Sequence, residues 1–195
     1  GPKPNQEWGR GQDVRPPATM PAGFRYSELP APSSDKREVL ALPIRVICGN
    51  DEPVQGFVPD PNMVSGSTNH KNVKIDTSAA NAAPAAIYQF ERYGQDYAYV
   101  YEVPKTGRYT VRLHFAEIFN DGEGSRIEDI RLNEQVVLKD FDIFKAAGGM
   151  NKAVVKEFKD VAPNDQGNIV IRITAASHSP DKNAKICGIE ILKAE

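Results

Sequence analysis

In the stretch RLHFAEIFNDGEG, residues 112–124, a carboxylate stands where a core residue belongs. Tyr109, Val111, Leu113 and Phe115 alternate with Thr110, Arg112 and His114 at the two-residue period of a strand with one buried face, and the next inward positions are Glu117 and Phe119. A carboxylate turned inward costs up to several kcal/mol unless it is paired or hydrogen-bonded. Glu117 is therefore expected to accept hydrogen bonds from backbone amides of the following loop, or from Arg92, and so to hold that loop in shape. The alternative is a β-bulge that turns Glu117 outward. Phe119 then places a ring at the mouth of a loop rich in Asn, Asp and Gly, beside Asn120 and Asp121.

Other chemistries find less support. Glu117 with Glu128 or Asp129 could form the carboxylate pair of a glycosidase, but among 26 acidic residues accidental pairs are expected and the pattern carries no specificity. No Ser-His-Asp grouping or Gly-rich phosphate loop stands out, and His70, His114 and His178 lie on separate segments without metal-ligand spacing. "NDGEG" and "DFD" could ligate a structural calcium through oxygen, but they lack the spacing of a known loop and read better as solvated turns. The chain is read as no enzyme and as needing no cofactor.

The elements that must position these residues read as all-β. From Ile44 onward, "IRVICG", "AAIYQF", "DYAYVYEV", "RYTVRLHF", "IEDIRL", "QVVLKDFDI", "AVVKEFKDV", "NIVIRITA" and "AKICGIEIL" follow one another between Gly, Asn, Asp and Pro punctuation, with no long 3.6-residue pattern. That spacing predicts an antiparallel sandwich over residues 44–193. "LNEQVV" supplies a tight turn at Asn133 and Glu134, although Glu suits a primed turn less well than Gly. "GQDY" and "KTGRY" read as further hairpin-like connections. "DTSAANAAPAA", Asp76 to Ala86, is left open between loop and helical turn. Cys48 ends the first apolar alternation and Cys187 begins the last; if those strands pair, both sulfurs point inward, as packed free thiols in preference to a bond.

Residues 1–43 are proline-rich, in pieces such as "RPPATMPAGF" and "LPAPSSDK", and read as an extended linker or docking arm whose apolar patch is Phe24, Tyr26 and Leu29. Gly1-Pro2 reads as the scar of a cleaved expression tag, with natural chain expected upstream. At 195 residues and 40% hydrophobic, with a mean hydropathy of -0.48, the chain fills one core and has no apolar run of about 18 residues. A net charge of -2 and a pI near 6.0 leave no footprint for nucleic acid or an anionic membrane.

Four segments carry a resemblance: "YQFERY" (88–93), "YEVPKTGRYTVRLHFAEIF" (101–119), "RLNEQVVLKDFDIFKAAGG" (131–149) and "AKICGIEIL" (184–192). In this order they resemble the malectin family of carbohydrate-binding domains. The resemblance implies a jelly-roll β-sandwich that binds glucose-containing or related oligosaccharides from loops at one end. The family reads N-glycans in the endoplasmic reticulum, forms plant receptor ectodomains, and in bacteria resembles modules appended to secreted glycoside hydrolases. A chain with an arm and no N-glycosylation sequon fits the bacterial case, which implies an extracellular or periplasmic location and parent-enzyme domains as partners.

The same resemblance implies the site. Tyr93, the tyrosine of "ERY", matches a ligand-contacting position, and Phe119 matches the first of two consecutive aromatics. Asn120 replaces the second. Asp181 fills the role of a family aspartate only with a one-residue shift. The family's remaining tyrosine has no counterpart in "VSGSTNHKNVK", where Asn69 or His70 would stand in, and Asn50 with Asp51 resembles a family turn at the same end. Sugar recognition also explains Glu117 and Phe119, because a pyranose has apolar C–H faces and a polar rim and needs a ring beside fixed donors and acceptors. At Glu128 the family has Phe, so that face is expected to be more solvent-exposed here. The rival reading is a structural or interaction domain that packs against its parent glycoside hydrolase without binding sugar.

Overall fold

The computed structural model describes residues 39–60 and 64–195, so Phe24, Tyr26 and Leu29 of the expected arm lie outside the described residues. Among the described residues twelve strands form three sheets. Strands β1 (Ile44–Ile47), β2 (Val58–Pro59), β6 (Tyr109–Phe115), β9 (Val154–Val161) and β12 (Gly188–Lys193) make a five-stranded sheet in the order β2-β1-β12-β6-β9. Strands β5 (Asp96–Glu102), β7 (Glu128–Leu132), β8 (Gln135–Phe141) and β10 (Asn168–Ala175) make a four-stranded sheet in the order β5-β10-β7-β8. A smaller sheet, β11-β4-β3, joins Ala184–Ile186, Phe90–Gly94 and Ser67–His70. Every pairing is antiparallel except the short parallel contact of β1 with β2.

The two-residue period decides what faces inward. Tyr109, Val111, Leu113 and Phe115 of β6 and Ile169, Ile171 and Ile173 of β10 enter one apolar cluster with Val46, Tyr99, Ile130 and Ile189, which makes the two larger sheets the layers of a sandwich. Leu40 and Leu42 pack against that cluster from the entering chain. The first and last long strands do pair, with Val46 opposite Ile189. Both cysteines are free and buried, and Cys48 N–H donates to the Cys187 carbonyl at 2.9 Å. Their sulfurs enter different apolar clusters, and burial pushes the Cys187 thiol up to about 11.

Several local expectations change. "AAIYQF" begins as a 3-10 helix, Ala85–Gln89, which starts behind Pro84 at φ -54, and only Phe90 enters a strand. This also resolves Asp76–Ala86 as a loop that ends in that helix. "GQDY" and "KTGRY" are not hairpins: β4 and β5 belong to different sheets, as do β5 and β6, so each connection crosses between layers. "AKICGIEIL" is two strands, β11 and β12, which change sheets at Cys187. The hairpin at "LNEQVV" holds, with φ of 44 at Asn133 and 74 at Glu134, the left-handed pair a primed turn requires. A short helix α1, Ile143–Ala147, follows β8 and is capped by the Asp142 carboxylate on Lys145 N–H and by Gly148 at φ 80.

Glu128 is a clear correction. The sequence placed it on a solvent-exposed face, but it is 0% exposed, and its Oε1 accepts the Lys185 N–H at 3.0 Å. Burial pushes its carboxyl up to about 8, against weaker opposing effects of the Lys185 amide and of Arg126, so it stands neutral at pH 7. Because that value lies above the usual 4.5, the folded chain keeps a proton that the unfolded chain releases as the pH rises. This group's contribution to stability is complete below pH 4.5 and lost towards pH 8. Glu128→Gln should therefore gain about 3 kcal/mol on the native chain between pH 5 and pH 8. Urea unfolding of both proteins at the two pH values checks it; an unchanged difference would contradict it.

Candidate functional site

Strand β4 sets out the site. Glu91 and Tyr93, two residues apart, share one face, and across the small sheet Asn69 lies opposite Glu91 while Lys185 lies opposite Tyr93. Gly49, at the end of the first strand, fixes the height of β4: at φ +86, a Cβ there would stand 2.2 Å from the Glu91 carbonyl oxygen, so only glycine lets the two backbones approach. Facing β4 are two loops, one after β6 that holds Phe119 and Asn120 and one before β11 that holds Asp181 and Asn183.

Glu117 organises both loops. It is 1% exposed and turned inward, as the strand register implied, so the outward bulge is not the solution taken. Its partner is Arg126 and not Arg92: Arg126 Nε lies 2.8 Å from Oε1 and Nη2 lies 3.3 Å from Oε2. Arg92 is held instead by Asp60, at 2.6 and 3.2 Å. Glu117 Oε2 also accepts the N–H groups of Phe119 at 3.2 Å and Asn120 at 3.3 Å, the expected loop amides. Burial would raise the Glu117 carboxyl, but the hydrogen bond and charge of Arg126 hold it below the usual carboxylate range.

Arg126 then reaches the second loop. Its Nη2 lies 3.4 Å from Asp181 Oδ2, and its Nη1 donates to the Asn183 carbonyl. Asn120 bridges the same two acids, its Nδ2 donating to Glu117 Oε1 at 3.2 Å and to Asp181 Oδ2 at 3.0 Å. The loops are also joined by Asp181 N–H to the Ser125 carbonyl at 2.9 Å and by Ile127 N–H to Ser179 Oγ at 2.8 Å. Burial raises the Asp181 carboxyl, while Asn120 and Arg126 together bring it below its ordinary value.

Between β4 and these loops opens a cavity of about 190 Å³. Asn69, Tyr93, Phe119, Asp181 and Asn183 line it, with Glu91 and Arg126 buried deeper. Phe119 is 65% exposed, an apolar ring held in water by a braced loop. A wider depression of about 570 Å³ continues past Phe119 over Asn120, Glu123, Ser125 and Pro180. Two rings, two carboxylates, two amides and a guanidinium around a cavity this small suit a compact, hydroxyl-bearing ligand with apolar faces.

Of the residues singled out in the sequence, Tyr93, Phe119 and Asp181 meet at the first cavity and Asn120 lines the second, while Glu117 lies beneath both loops. Asn50 lines neither; its amide donates to the Glu52 carbonyl at 3.0 Å and shapes its own turn. Of the two stand-ins for the missing tyrosine, Asn69 faces the cavity and His70 stacks on Phe90 at 4.2 Å. Glu91, Arg126 and Asn183 were missed. The signal for Glu91 was its same-face spacing of two from Tyr93 on β4; Asn183 lies in a loop, where no such period applies.

The alternative chemistries lose their geometry. Glu128 is sealed from solvent, Glu117 is occupied by Arg126 and two amides, and Asp129 is held by Lys139 at 3.0 Å. "NDGEG" and "DFD" meet through Gly124 N–H and the Asp142 carboxylate at 2.7 Å, and among the described residues no cluster of three or more His, Cys, Asp or Glu could hold a metal. No helix among the described residues is long and apolar enough to cross a membrane.

The family model for the malectin domain matches residues 43–189. Malectin of Homo sapiens is 33% identical over 99 residues, which cover 50% of this chain and 31% of that protein. The chain spans about a third or less of the length of the first curated relatives it matches. Among solved structures, the ANXUR2 extracellular domain of Arabidopsis thaliana superposes with a TM-score of 0.67 at 19% identity, over 78% of this chain and 48% of that one. Beta-glucuronidase 2 of Bacteroides uniformis superposes with a TM-score of 0.58 at 22% identity, over 79% of this chain and 18% of that one.

Proposed function

The chain belongs to the malectin family, and on that footing we propose that it is a noncatalytic carbohydrate-binding module whose ligand lies in the cavity between Tyr93 and Phe119. The observation that carries this reading is the convergence of those two rings with Asp181, Asn183 and Asn69 on one small cavity whose loops are fixed by the Glu117–Arg126 pair. A sugar ring lays its C–H face on the exposed Phe119 and gives its hydroxyls to the acids and amides. Affinity of an isolated module is weak, because few contacts offset the cost of ordering a flexible glycan. We take the sandwich to be of jelly-roll type, a reading supported by successive strands that change sheets at β4–β5 and β5–β6.

We further propose that the module is exported and raises the local concentration of a longer glycan-degrading enzyme at its substrate. The likeness to 18% of a Bacteroides glucuronidase supports a bacterial setting within such an enzyme, and the likeness to a receptor's extracellular domain supports the location. The second reading, a domain that packs on its parent enzyme or a protein partner, is favoured by Asn120, whose amide is turned inward where the family pattern has a ring.

A glycan array spanning plant, algal and host glycans separates the two. The first reading expects hits that disappear with Tyr93→Ala; silence across all three sets supports the second.

A further inference from the structure

Of the two acids that line the cavity, Glu91 is the deeper. It is 2% exposed and lines the floor. Its Oε1 accepts the Asn69 amide at 3.0 Å, and its Oε2, paired with the Lys185 ammonium, has no further hydrogen bond in the protein. Oε2 is sealed from solvent against Lys185, whereas a carboxylate oxygen offers two lone-pair directions, so Oε1 keeps acceptor capacity beside the Asn69 amide. Lys185 cannot follow the ligand: it is 0% exposed, and its ammonium also donates to the Ala116 carbonyl.

Electrostatics then separates two classes of sugar. Among the described residues Arg126 is the one cation that lines the cavity, and Glu117 and Asp181 already offset its charge. Glu91, Glu117 and Asp181 pair with Arg126 and Lys185, three carboxylates to two cations, while the Lys71 ammonium is held at 3.1 Å by the Ile118 carbonyl of the Phe119 loop and does not line the cavity. A hydroxyl donates to such walls, whereas an incoming carboxylate or sulfate meets like charge in a partly dry pocket with no uncompensated cation among its lining residues.

We propose that Glu91, with Asp181, is a specificity-determining residue that makes this cavity a site for uncharged sugars and rejects hexuronates and sulfated sugars. This rests on the carbohydrate reading of the cavity. The test is calorimetry on the full chain with a neutral oligosaccharide found on the array and with the same oligosaccharide oxidised to the carboxylate at C6. The native chain should bind the neutral form about 100-fold more tightly, and Glu91→Gln should weaken neutral binding while cutting the discrimination about tenfold. If Glu91→Gln fails to fold because Lys185 is left unpaired, the comparison of the two ligands on the native chain still decides. Equal or tighter binding of the oxidised form overturns the proposal and leaves the carbohydrate reading standing. An array without hits, or neutral binding that Tyr93→Ala leaves unchanged, overturns both.

Discussion

Arg126→Ala should destabilise the domain by about 3–5 kcal/mol and abolish glycan binding, because it leaves the buried Glu117 carboxylate without its ion-pair partner and unties the Asp181–Asn183 loop from it. Glu117→Gln should cost less, about 1–3 kcal/mol, because Arg126 loses a charge-assisted hydrogen bond but keeps Asp181 and the Asn183 carbonyl. Truncating one partner of a buried pair costs more than the pair itself contributes, since the remaining charge stays unsolvated. The pH dependence has the opposite sign to that of Glu128. With the Glu117 carboxyl held below its usual 4.5, its stabilising contribution is full above that pH and is lost as acid drives the pH through the depressed value. Chemical denaturation at pH 7 and pH 4 checks both statements. If Glu117→Gln leaves both stability and sugar affinity unchanged, the loops are held by something other than this pair.

Phe119→Ala and Tyr93→Ala should each lower glycan affinity at least about tenfold. Phe119 is 65% exposed, so its removal should leave the melting temperature within a degree or two, by the small effect expected of surface substitutions. Tyr93 is half-buried on β4 and should cost somewhat more stability while the fold survives. Affinity electrophoresis with the native chain and both variants reads this directly. Equal mobility of all three would remove the assignment of these two rings, whatever the rest of the surface binds.

Much of this site was legible in the residues because its signal is local. The inward register of β6 could be followed to Phe115, and a carboxylate at the next such position could only be tolerated with partners, so a braced loop was foreseeable. Its main partner was not. Arg126 sits in a stretch without periodicity, whereas Arg92 lies inside a recognisable motif yet is claimed by Asp60. Strand β3, Ser67–His70, is polar and short and shows no apolar alternation, so Asn69 could not be assigned to a sheet. The layer changes at Gln95 and at Lys105–Gly107 depend on pairings with distant β10 and β12, which no neighbouring residue encodes. Glu128 misled for a physical reason: a charged residue type reads as surface, but a carboxyl that stays protonated can be buried at the cost of pH sensitivity.

The most direct measurement is a titration of the isotopically labelled chain with an array-positive oligosaccharide, followed by amide chemical shifts. Shifts should concentrate at Asn69, Tyr93, Phe119–Asn120 and Asp181–Asn183, the residues that surround the cavity. Shifts confined to the separate pocket lined by Arg45 and Arg112, or saturating binding that leaves Tyr93 and Phe119 unmoved, would contradict a sugar held between those two rings.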